Sequence, residues 1–123
     1  MITLNHRIAV YVPSTIKGNV PDKSKAAAWV DRVLTTLSNM FGGATATTAM
    51  GAWVSATLGL VKEDITIVYA YCDDATMHSQ RINVLRLALE LCKDMGQECV
   101  SVEIDHALSF ISMDNKQEIE MAA

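Results

Sequence analysis

Hydrophobic and polar positions alternate cleanly at the start of the chain. Ile2, Leu4, His6, Ile8, Val10 and Val12 fall on one side, and Thr3, Asn5, Arg7, Ala9 and Tyr11 on the other. A period of two over residues 2 to 12 predicts a half-buried strand. His6 lies on its apolar side and reads as a buried, hydrogen-bonded histidine rather than a catalytic one. After the polar loop Pro13 to Pro21 the period changes. Ala26, Trp29, Val30, Val33, Leu34, Leu37, Met40 and Phe41 recur at steps of three and four, which predicts an amphipathic helix from Asp22 to Phe41 with Asp22 as its cap. Lys23, Lys25 and Arg32 belong to its solvent side. Gly42-Gly43 stops it, and Thr-, Val-, Ile- and Tyr-rich sequence up to Cys72 predicts two long paired strands turning at Thr57-Leu58-Gly59. The second of these is apolar on both faces, with Ile65, Ile67, Tyr69 and Tyr71 opposite Thr66, Val68, Ala70 and Cys72. That pattern predicts cover on both sides.

Asp73-Asp74 opens a second helix that runs to about Met95 and ends at Gly96. Its apolar arc is broad: Ile82, Leu85, Ala88, Leu89, Cys92 and Met95 form one line, and Val84, Leu87 and Leu91 another. Either a second subunit or a broad intramolecular core would bury it. Residues 97 to 111 alternate as one last strand, with Val100, Val102, Ile104, His106, Leu108 and Phe110 on one side. A single α+β domain over residues 1 to 111 is followed by an acidic tail, 112 to 123, that is frayed or forms a terminal turn of helix. The order strand, helix, strand, strand, helix, strand is the ferredoxin-like βαββαβ arrangement, an antiparallel sheet with both helices on one face. Its other face then carries Arg7, Tyr11, Trp53, Ser55, Ser101 and Glu103, together with one side of the third strand. An aromatic-rich bare face predicts self-association, most simply as a two-fold dimer.

With 123 residues, half of them hydrophobic, the chain makes one core rather than two. A net charge of −4 argues against holding long nucleic acids by their backbone, and no apolar run reaches membrane-spanning length. The N-terminus does not read as a signal peptide, so a soluble intracellular protein is expected. Cys72, Cys92 and Cys99 lack metal-ligand spacing and read as reduced core residues. No Gly-rich phosphate loop, nucleotide fingerprint or nucleophile elbow occurs. Glu63-Asp64 reads as edge charge that discourages aggregation. An enzyme is therefore not the leading expectation, and no cofactor or metal is implied. What remains is a binder of a small anionic, nucleotide-like ligand. Ser14, Thr15 and Lys17 offer donors in the first loop. His78, Arg81 and Asn83 near the second helix's start offer a phosphate site, and Trp53 is either a stacking surface or a plug in a subunit interface.

The string His6-Arg7-Ile8-Ala9-Val10-Tyr11-Val12-Pro13-Ser14-Thr15, Phe41-Gly42-Gly43-Ala44-Thr45, Gly51-x-Trp53, Leu60-Val61-Lys62-Glu63 and Gln97-Glu98-x-Val100 resemble the Thoeris anti-defence sponge proteins of bacteriophages, over roughly residues 6 to 111. Residues Gly42 to Glu103 are also similar to a broader bacterial family of unknown function. The sponge resemblance implies an inert viral protein in the cytoplasm of an infected bacterium. It would sequester cyclic ADP-ribose isomers made by bacterial TIR-domain immune proteins, and cyclic di- or trinucleotides at a separate site, as dimers that associate into hexamers. It assigns no binding residue in this chain, so the candidates above rest on chemistry alone. A small ferredoxin-like hydrolase or lyase is the alternative, and a protein-protein interaction module a third.

Overall fold

The computed structural model describes residues 1–17 and 19–122; Gly18 of the first loop and Ala123 of the tail lie outside the described residues. Strand β1 (His6–Pro13) leads through a two-residue ladder, β2 (Thr15–Ile16) and β3 (Val20–Pro21), into helix α1 (Lys23–Phe41). The hairpin β4 (Thr45–Ser55) and β5 (Gly59–Cys72) follows, then helix α2 (Asp74–Asp94), strands β6 (Val100–Ile104) and β7 (Ala107–Ile111), a 3-10 turn and helix α3 (Lys116–Met121). The sheet runs β4-β5-β1-β6-β7, and every neighbouring pair is antiparallel. This is the ferredoxin-like α+β arrangement with one added strand.

Local chemistry sets the element ends. Asp22 and Asp73 cap their helices by accepting the N–H groups of Lys25 and Thr76. Gly42 closes α1 at φ 87°, in the left-handed region that favours glycine. Ile8, Val10, Val12, Val68, Ala70, Val100 and Val102 turn from the sheet toward Trp29, Val33 and Leu37 of α1 and Val84, Leu87, Ala88 and Leu91 of α2, and all are buried. Each of the larger of these side chains contributes about 1.5–3 kcal/mol by leaving water. The helices are also tied to each other. The Trp29 indole N–H donates to Asp94 at 2.7 Å, Lys25 pairs with the same carboxylate, and Arg32 stacks over the Trp29 ring while reaching Glu90.

The bare sheet face holds the side chains the alternation placed there. Arg7 lies over Tyr69, pairs with Glu103 and approaches the Tyr71 hydroxyl; Tyr11 donates to Glu103. Within one chain β5 is covered on one side only: Val68, Ala70 and Cys72 are buried, whereas Tyr71 is 47% exposed. The broad arc of α2 is covered within the chain, by the sheet, α1 and α3, whose Ile119 is buried.

Further readings are corrected. Cys72 and Cys92 are buried, but Cys99, expected in the core, is exposed. The first strand starts at His6 rather than residue 2, because His6 already pairs with Cys72, the last residue of β5, and among the described residues no strand pairs with residues 1 to 5. The last strand is a hairpin. Asp105 takes φ 57° and turns the chain with His106, so Leu108 and Phe110 point to the bare face instead of the core, and Ile111 packs inward opposite Val100. His6 is half-buried rather than buried: its ring sits between Asp105, at 3.0 Å from Nδ1, and Asp74, at 2.5 Å from Nε2.

Candidate functional site

β5 pairs with β1 only from Ile65 to Cys72, opposite Pro13 to His6. Its first six residues, with the matching half of β4, therefore project past the sheet as a two-stranded ribbon. Beneath this ribbon lie the first turns of α1 and the loop after β1. Between them opens a cleft of about 1000 Å³. Its walls are largely aliphatic, with Pro21, Ala27, Val30, Ala46, Leu58 and Val61. Ser14, Thr15 and Asn19 from the loop, Lys23 and Asp31 from α1, and Lys62, Glu63 and Asp64 from β5 supply its polar groups. A space of this size suits a ligand of a few hundred daltons.

The most constrained of these groups is Glu63. The strand register explains why: Pro13 is the last residue of β1 to pair with β5, so the chain that continues past it runs alongside the residue before Ile65 on the projecting ribbon. Thr15 is buried, and its hydroxyl donates to the Glu63 carboxylate at 2.9 Å. The loop that carries Thr15 is itself held at several points. The Asp22 N–H donates to the Ser14 carbonyl, the Gln97 side-chain amide to the Thr15 carbonyl at 2.7 Å, and the Lys17 N–H to the Met95 carbonyl. A carboxylate fixed in this way beside apolar walls presents a negative charge of fixed position. It can attract a cationic ligand atom or accept a proton.

The seven candidates taken from the sequence are dispersed. Ser14 and Thr15 line the cleft. Lys17 is exposed on the far side of its loop, at φ 48°, against the end of α2. Trp53 is half-exposed on β4 with its alternating neighbours on the bare face. His78 and Arg81 are exposed on α2, and Asn83 is bonded to Gln80 and Arg86 along the same helix. The first turn of α2 lies at the other end of β1 from the cleft, beside His6. There the hydrogen bonds to Asp105 and then Asp74 raise the His6 pKa above its ordinary value. Those from His6 and the Arg7 N–H hold the Asp105 carboxyl below the usual range. Sequence reasoning did not count Lys23, Asp31, Lys62, Glu63 and Asp64 as site residues: it read Lys23 as solvent-facing and Glu63-Asp64 as edge charge. The available signal was the offset of the two long strands, which leaves the Glu63-Asp64 end of β5 beyond the reach of β1.

Among the solved structures that match, two do so almost end to end. One is a phage SAM lyase in complex with S-methyl-5′-thioadenosine, with a TM-score of 0.63, 15% identity, and 93% of this chain and 95% of that one covered. The other is a phage SAM lyase in its apo state, with a TM-score of 0.63 and 15% identity over 90% and 91% of the two chains. The chain shares its fold with a lyase. No protein-family model matches the sequence, and no curated protein matches it. The expectation of a non-enzymatic sponge is corrected by this likeness: the architecture expected to hold a signal without altering it is one on which an enzyme is built. Among the described residues no helix is long and apolar enough to cross a membrane.

Proposed function

We propose that the protein is a lyase that cleaves S-adenosylmethionine, or a closely related sulfonium nucleoside, and releases S-methyl-5′-thioadenosine. The observation that carries the reading is the fixed Glu63 carboxylate in a largely aliphatic cleft, on a fold shared from end to end with a phage SAM lyase. The chemistry of the cleft agrees with such a substrate. A sulfonium is cationic, and Asp31, Glu63 and Asp64 outnumber Lys23 and Lys62 around the opening. A polyphosphate would meet the opposite balance.

In the reaction the bond from sulfur to the amino-acid γ-carbon breaks, and its electron pair stays on sulfur. The cation thereby becomes a neutral thioether. The carbon left behind completes its valence by closing on the substrate's own carboxylate, or by forming a double bond to the adjacent carbon as that carbon gives up a proton to the Glu63 carboxylate. Both routes neutralise charge, which apolar cleft walls favour over bulk solvent. Glu63 is the group assigned to meet the cationic end of the substrate, and Ser14 and Asn19 offer polar groups to its sugar.

The test is incubation of the purified protein with S-adenosylmethionine and chromatographic analysis of the nucleoside and amino-acid products. Release of S-methyl-5′-thioadenosine that disappears in Glu63→Gln is the expected result. Intact recovery of the substrate with the folded wild-type protein would refute the reading.

We also propose that the protein acts in the cytoplasm of an infected bacterial cell, as a homo-oligomer whose bare sheet faces meet. The exposed Trp53, Tyr71, Leu108 and Phe110 support the second statement.

A further inference from the structure

The C-terminal turn of α2 is fixed more firmly than the end of a helix requires. Gln97 donates its backbone N–H to the Cys92 carbonyl, and its own carbonyl accepts from the Cys92 thiol at 3.2 Å. Its side-chain amide, held in place by these contacts, reaches the Thr15 carbonyl at 2.7 Å and the Met95 carbonyl at 3.3 Å. The Met95 carbonyl also accepts the Lys17 N–H at 2.9 Å. Gly96 lets the two backbones come this close: a β-carbon there would stand 3.2 Å from the Lys17 nitrogen. The loop gripped by this turn has one buried polar side chain, Thr15, whose hydroxyl ends on Glu63.

We propose that the turn Met95 to Gln97 is a positioning element for the cleft, which orients the Glu63 carboxylate through Thr15. The inference rests on the proposed lyase reading for its catalytic consequence, and on geometry alone for its structural one. None of the three turn residues lines the cleft. Their effect is to choose one loop conformation, and with it one direction for the carboxylate. A hydrogen bond in series with a second one transmits orientation only while both are made. The two contacts are therefore coupled, and removing either one should undo most of what the other provides.

The experiment compares wild type with Gln97→Leu, Thr15→Val, Thr15→Ser and the Gln97→Leu/Thr15→Val double variant. Melting curves verify that each is folded. With S-adenosylmethionine as substrate, Gln97→Leu should lower kcat about five- to tenfold, the worth of one neutral hydrogen bond, and Thr15→Val at least as much, since its hydroxyl meets a carboxylate, with KM changed less than about twofold in each. Thr15→Ser keeps the hydroxyl and should retain most of the rate. The double variant should be no slower than Thr15→Val alone. Unchanged kcat in Gln97→Leu, or losses that multiply in the double variant, would overturn the proposal. A second readout does not depend on turnover: the carboxyl carbon resonance of Glu63 should move in Gln97→Leu and stay near its wild-type position in Thr15→Ser. If the wild-type protein releases no S-methyl-5′-thioadenosine, the lyase reading fails and this resonance decides alone. A shift in Gln97→Leu then upholds the positioning role, and an unmoved signal rejects it.

Discussion

Replacing Gly96 by alanine tests the contact between α2 and the cleft loop most directly, because the structure contains its own control. Gly96 and Gly42 both end a helix in the left-handed region, at φ 61° and φ 87°. A side chain there costs about 1–2 kcal/mol in backbone energy, offset in part by about 0.4–1 kcal/mol from the stiffer unfolded chain. That net penalty applies to both sites. The surroundings differ. A β-carbon at Gly42 meets nothing within 4 Å, whereas one at Gly96 stands 3.2 Å and 3.3 Å from backbone atoms of Lys17 and 3.4 Å from its Cγ. Backbone cannot swing aside as the tip of a side chain can, so relief requires the loop to shift, stretching the Lys17–Met95 and Gln97–Thr15 hydrogen bonds. Weakening one or two such bonds adds about 1–2 kcal/mol. Gly96→Ala should therefore melt below Gly42→Ala by roughly 3–10 °C, since about 1 kcal/mol corresponds to about 3–5 °C for a chain of this size. Differential scanning calorimetry of the two variants beside wild type measures the gap. Lyase turnover should fall in Gly96→Ala and hold in Gly42→Ala. Equal melting temperatures with equal turnover would refute the claim that this close approach matters.

Other expectations concern regions away from the cleft. His6 has its pKa raised by Asp105 and Asp74, so its contribution to stability is complete below about pH 6.5 and is lost as pH rises through the folded-state value. Asp105 has its pKa lowered by the same contact, so its contribution is present above about pH 3.8 and is lost as pH falls through the folded-state value. The melting temperature of wild type relative to His6→Asn should thus be greatest between these limits and decline toward pH 8; a difference that stays flat from pH 5 to 8.5 contradicts it. Leu37→Ala removes a fully buried side chain between α1 and the sheet and should cost about 2–5 kcal/mol in urea unfolding, with an unchanged m-value. Sedimentation at micromolar concentration should show an oligomer that Phe110→Asp and Tyr71→Asp shift toward monomer. Monomeric wild type under those conditions removes the bare-face interface.

The parts of the fold governed by periodicity were readable from the chain. Three- and four-residue steps located α1 and α2, and Asp22 and Gly42 marked the ends of the first. Two-residue steps placed Arg7, Tyr11 and Glu103 on the same bare face, where they now bond to one another. The final hairpin was not readable. Asp105-His106 contains no glycine and keeps the alternation of its flanks intact, so one long strand and two short ones look the same until β7 finds β6. The cleft was harder still. Thr15 and Glu63 are far apart in sequence and meet only because β5 outruns β1, a length difference that appears when the strands are paired. Arg81, His78 and Asn83 were chosen because helix starts attract anions. That argument is sound for an isolated helix but does not say at which end of the sheet the helix begins.

The outer edge of the sheet carries one more implication. Strand β4 has β5 on one side and, among the described residues, no strand on the other, and its eleven residues, Thr45 to Ser55, include no charged side chain and no proline. Half of its amide groups thus form an unguarded template for any extended segment that comes near. Mutual repulsion from the overall charge of −4 opposes pairing along this edge at neutral pH. Acidifying a concentrated solution removes that repulsion while leaving the template intact, and precipitation should then begin along this strand.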